Sequence, residues 1–140
     1  METEKIAEII KANNLAFKKA TKPQKRVMIA QDVLAQIEAK KFRAKEGNWI
    51  CASRDLSNLQ ETEGVREVFA AGKMGRCDVC ALGGLFMSCT NLNGGTTLYD
   101  FEGESDSLGF YIYNGSPLSN GLHKFFSNDQ LKLIEIYFMF

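Results

Sequence analysis

No run of apolar residues in this chain approaches the ~18 that a membrane-spanning helix needs. The opening Met1-Glu-Thr-Glu-Lys5 is charged and lacks the apolar stretch of a secretory signal. Both absences predict a soluble protein in a reducing cytoplasm, with no membrane partner. There the four cysteines, Cys51, Cys77, Cys80 and Cys89, are free thiols, metal ligands or redox groups rather than a disulfide framework. The sequence also has no phosphate-binding loop, no paired carboxylates in a recognisable catalytic frame and no oxygen-rich metal loop. Internal repeats, low-complexity segments and linkers are missing as well. The 140 residues therefore read as one globular domain, 1–140, long enough to build a core without disulfide or metal staples.

Net charge is absent too, but its zero hides an asymmetry. Residues 1–45 hold eleven Lys or Arg against five Asp or Glu, a balance of +6, and residues 46–140 hold six against twelve, a balance of −6. A basic segment on an acidic body can meet nucleic acid, or the two surfaces can simply attract each other. The lysines are spread around the helices rather than clustered with aromatics as a backbone-tracking groove requires, which argues against nucleic acid.

What is present is mostly helical. Thr3 can cap a first helix with an Ile6, Ile9 and Ile10 stripe, which Asn13-Asn14 weakens and where the pattern can stop. Thr21 and Gln24 have capping-box spacing, with Pro23 in the first turn, where no intrahelical donor is needed. Beyond them Val27, Ala30, Val33, Leu34, Ile37 and Lys41 follow helical spacing, while Lys25, Gln31, Asp32 and Glu38 fall on the outside. This is the best amphipathic helix in the chain, and a helix of this kind ordinarily covers a core. Asn48 to Ser53 reads as a strand with Trp49 and Cys51 on one face, and a helix from about Glu63 to Ala71 ends at Gly72, a natural left-handed cap. Thr96–Phe101 and Leu108–Tyr113, joined by the acidic residues 102–107, predict a hairpin. Ser127 and Gln130 form a second capping box, and Phe126 with Leu131 has the spacing of a hydrophobic staple.

The stretch Cys77–Cys89 organises the rest. Val79, Leu82, Phe86 and Cys89 step by three, four and three, the period of one helix face, and predict a short helix buried on most sides. Gly83 and Gly84 each cost about 1 kcal/mol against alanine inside a helix, so the pair implies close approach of another element. The expected architecture is an α-rich α+β domain with this central buried helix and a small antiparallel sheet from residues 48–53, 96–101 and 108–113. The expected core is Leu34, Ile37, Trp49, Val68, Val79, Leu82, Phe86, Leu131, Ile134 and Phe138.

Cys77-x-x-Cys80 admits several chemistries. Zinc would need a second pair, from Cys51 with Cys89 or His123, and these are unpaired in sequence. A redox pair would want the motif after a strand, with the first thiol at a helix start. A catalytic thiol is the third possibility: Cys80 near a helix start has its thiolate favoured by the dipole, and His123 can serve as base. The order of cysteine at a helix start with histidine later is shared by papain-like and cell-wall peptidases, although those present the histidine on a strand and His123 lies in a helix or loop. The plain alternative is that all four are small buried hydrophobes, and the favoured reading has no metal and no cofactor.

Cys80-Ala-Leu-Gly-Gly-Leu85 resembles the Cys-Ala-Leu-Gly-Ala-Leu segment of small phage and bacterial proteins of unassigned activity, with Gly84 as a departure. Some of those proteins also end in a helix similar to Phe126, Ser127, Gln130, Leu131, Ile134 and Glu135 here. The resemblance covers a minor part of the chain and implies a phage or mobile-element setting in a host cytoplasm, where small proteins without catalytic motifs are often inhibitors of host systems. The expected function is a non-enzymatic binding protein that inhibits or sequesters a host defence component, a protein or a small nucleotide signal. The alternative is a cysteine-dependent hydrolase using Cys80 and His123. Tyr137, Phe138, Met139 and Phe140 end the chain on a large apolar area and predict a homodimer through the C-terminal helix.

Overall fold

The first helix does not stop at its asparagines. In the computed structural model, which describes residues 2–45, 50–99 and 121–138, α1 runs unbroken over Glu2–Lys19. At residues 2–3, 6–7 and 135–138 it gives the backbone course alone. What carries α1 past Asn13-Asn14 is Phe17, 1% exposed and packed edge-on against Phe125 at 5.2 Å between ring centroids. Burying one such aromatic contributes about 1.5–3 kcal/mol, more than two asparagines cost in helix propensity.

Helix α2, Lys22–Glu38, starts where the sequence places it. The Gln24 backbone N–H donates to Thr21 Oγ1 at 3.3 Å, and the Thr21 N–H donates to Gln24 Oε1 at 2.8 Å. The strands β1 (Phe42–Ala44), β2 (Ile50–Ala52) and β3 (Cys77–Val79) form one sheet in the order β1-β3-β2. β3 lies parallel to β1 and antiparallel to β2, so the sheet is mixed rather than antiparallel. Helix α3, Val65–Ala70, precedes β3 and is followed by Gly72 at φ 76°, the left-handed cap expected from sequence. Helix α4, Ala81–Asn93, follows β3 directly, and α5, Asn128–Phe138, closes the described chain. The second capping box holds: Gln130 N–H donates to Ser127 Oγ at 3.1 Å and Ser127 N–H to Gln130 Oε1 at 2.9 Å.

The molecule is thus an α-rich α+β fold, and α4 is its centre. Every residue from Leu82 to Thr90 is buried, and α4 packs against α1, α2, α3, α5 and β3. Its start differs from the expected one. Cys77, Asp78 and Val79 belong to the sheet, with Cys77 and Val79 turned to the core, and the helix begins only after Cys80. Alternation over three residues and one helical turn look alike in so short a window, and β pairing on both sides decides the matter. Gly94 ends α4 at φ 72°, where a Cβ would sit 2.8 Å from the Arg66 guanidinium.

Two other expectations fail. Thr97 forms an isolated bridge to Gly64 and residues 98–99 are helical, so no strand runs through 96–99. The remainder of the expected hairpin, Trp49, Met139 and Phe140, and the side chains of Tyr137 and Phe138, lie outside the described residues. Leu34 and Ile37 are not core: they are 62% and 40% exposed. Val68, Val79, Leu82, Phe86 and Leu131 are buried as expected, and Ile134 packs partly buried against them. Among the described residues no helix is long and apolar enough to cross a membrane.

Candidate functional site

The exposure of Leu34 and Ile37 is part of an inverted helix. α2 turns Met28, Ile29 and Val33 toward α4, and with them Asp32 and Gln36. Asp32 is held there by Asn91, whose Nδ2 donates to Oδ2 at 3.4 Å, and by Gln36, whose Nε2 donates to Oδ1 at 3.4 Å. The opposite face carries Val27 (56% exposed), Ala30, Leu34 and Ile37 in three-four-three steps. At the N-terminal end of this stripe lies an open groove of about 440 Å³ lined by Ala20, Pro23, Gln24, Val27 and Met28. Sequence reading missed this surface for a definite reason. α2 has apolar residues on two stripes, and a periodicity argument assigns the longer one to the core. The signal that points the other way is Arg26, whose Nη1 donates to the Phe125 carbonyl at 3.2 Å and so fixes the opposite rotation of the helix.

The cysteines are spread over both faces of the sheet. Cys77 faces the core and is fully buried, whereas Cys51, paired in register with Asp78, faces outward and is exposed. Burial pushes the Cys77 thiol up to about 12, with Cys51 and Asp78 adding to the effect, and burial pushes Cys89 in the same direction. Cys80 is half-buried at the N-cap of α4, where its Sγ accepts from the Gly83 N–H at 3.4 Å. His123 lies in the helical residues 121–123. The strand-to-helix context that a redox pair wants is present, but Cys77 lies inside the strand and the second thiol, not the first, sits at the helix start. Among the described residues no group of three or more His, Cys, Asp or Glu is placed to hold a metal ion. Cys51 and Cys77 project from opposite faces of the sheet, so those two thiols do not converge on one ligand position.

On the outer sheet face a row runs across the strands: Arg43, Asp78 and Cys51. Arg43 grips the Asp78 carboxylate with Nε at 2.8 Å and Nη2 at 2.7 Å. This contact first, with Lys45 and Arg76 nearby, holds Asp78 below the usual carboxylate range. It ties β1 to β3, and its exposed setting limits its value to stability.

The fold and surface define a helix-rich α+β domain with an outward apolar helix face. No protein-family model, curated protein or solved structure matches the chain.

Proposed function

We propose that the chain is a non-enzymatic binding protein that docks its target on the outward face of α2. In this reading it is a phage or mobile-element accessory protein that sequesters or inhibits a host defence component. The observation that carries the docking surface is the exposed stripe of Val27, Leu34 and Ile37 beside the groove. A contiguous apolar surface on a helix held firmly by its other side is the usual ground for partner binding. The host setting rests on the resemblance of Cys80–Leu85 to small phage proteins. The test is phage plating on a defence-carrying host that expresses the chain. Wild type should raise plating efficiency and the Leu34→Glu variant should not. No rescue by wild type contradicts the anti-defence role, and equal rescue by both contradicts the surface.

One observation favours a second reading, the hydrolase of Cys80 and His123: Cys80 caps a 13-residue helix. A helix N-terminus favours a thiolate, the attacking species. Iodoacetamide at neutral pH separates the two, since a single fast-reacting Cys80 supports the enzyme and slow labelling there removes it. The homodimer through Tyr137, Phe138, Met139 and Phe140 remains part of the proposal, supported by Leu133 on α5, 53% exposed. Light scattering should show a particle of twice 15.7 kDa, and a persistent monomer at high concentration ends that idea.

A further inference from the structure

We infer that the α2 surface takes an acidic amphipathic helical segment of a partner protein, an inference that rests on the docking reading above and names the chemistry of its partner. The apolar part of the match is the stripe Val27, Ala30, Leu34 and Ile37, whose three-four-three spacing suits a second helix laid along it. The groove among Ala20, Pro23 and Val27 receives one large apolar side chain at the end of that helix.

The charge part of the match lies around the groove. Lys18 and Lys19 end α1 and Lys22 begins α2, all three exposed and two of them next in sequence to groove residues. The first turn of α2 holds no acidic residue, so the positive end of its dipole is left unneutralised there by any side chain of that turn. The stripe itself carries no lysine or arginine. A partner helix therefore meets apolar surface along its centre and cations at one end, and carboxylates beside its apolar face complete the contact.

Other occupants fit less well. α1 and α2 contain one aromatic residue, Phe17, and it is buried, so no exposed ring on them can stack a base. A second copy of the chain repeats the same cations on both sides and supplies from α2's outward face only Glu38, at the far end of the helix, to meet them.

The experiment uses the full chain and a fluorescein-labelled amphipathic peptide with leucines at helical three-four spacing and glutamates elsewhere. A matching peptide with lysines for glutamates, a single-stranded oligonucleotide and anionic phosphatidylglycerol vesicles are the comparison probes. Fluorescence anisotropy should show binding of the glutamate peptide, weakened by about tenfold or more in Leu34→Glu, a loss of at least ~1.4 kcal/mol. It should also weaken as salt rises from about 0.05 to 0.5 M, as screening of the lysines requires. Lys19→Glu/Lys22→Glu should shift preference toward the lysine peptide, with the thermal melt of each variant confirming that it folds. Stronger binding of the oligonucleotide, the vesicles or the lysine peptide to the native chain overturns the inference, as does binding indifferent to Leu34→Glu. So does sedimentation showing the α2 face covered by a second copy. If the glutamate peptide fails while Leu34→Glu still abolishes plating rescue, the acidic partner is wrong and the docking surface stands. If Leu34→Glu leaves rescue intact, the docking surface itself is wrong and this inference falls with it.

Discussion

Gly84 shows how much a single position can say. Its expected role was to let another element approach, yet a Cβ built there would meet Val79 Cγ2 at 3.5 Å and Val33 Cγ1 at 3.7 Å, ordinary contact distances. Gly84→Ala should therefore be accepted and should gain up to about 1 kcal/mol from helix propensity, as a urea denaturation curve would show. Gly83 is buried, and Gly83→Leu should cost about 1–3 kcal/mol through overpacking; an unchanged melt would show slack around it. The buried thiols give a pH prediction. Cys77 holds its proton to about 12 in the folded chain, above the ~8.5 of a free thiol in the unfolded one. Between those values the folded chain binds the extra proton, so stability is full below the lower one and falls as pH rises toward the upper, by about 1.4 kcal/mol per pH unit per such group. Cys77→Ala should flatten that alkaline decline, and a decline of the same slope would place its origin elsewhere. Burial of this kind was legible from the sequence only as the general habit of free cysteine.

At the scale of elements, the caps were readable and the rotations were not. Thr21 with Gln24 and Ser127 with Gln130 fix two helix starts by local chemistry, so the sequence suffices. The face that α2 buries depends on Asn91 and Phe125, 59 and 99 residues from their partners Asp32 and Arg26, which no local window contains. The start of α4 was misplaced because strand pairing of Cys77–Val79 with β1 and β2 is likewise non-local. Two substitutions test the rotation of α2. Ile29→Ala, on the buried face, should cost about 2–5 kcal/mol, and Leu34→Ser, on the outward face, should change stability by about 0.5 kcal/mol or less. Equal costs in a denaturation series would mean that the helix is rotated from the position described here. Thr21→Ala should cost about 1 kcal/mol by removing the cap.

For the whole molecule, the helix-rich α+β class followed from the sequence, while the outward apolar face of α2 followed only once α2 was seen against α4. The basic balance of residues 1–45 then acquires a place: part of it, Lys19 and Lys22, adjoins residues that line the apolar groove. The central proposal is that the outward face of α2 is the surface on which the chain meets its target protein. Its most direct test is site-specific photo-crosslinking in cells, with the reactive residue at position 34 in one strain and at the exposed Lys73 position in another. Position 34 should yield one adduct of defined mass, with the linked peptide lying in an acidic amphipathic segment of another protein, and position 73 should yield none. Equal adducts from both positions, or an adduct at position 34 only with a second copy of this chain, would contradict the account.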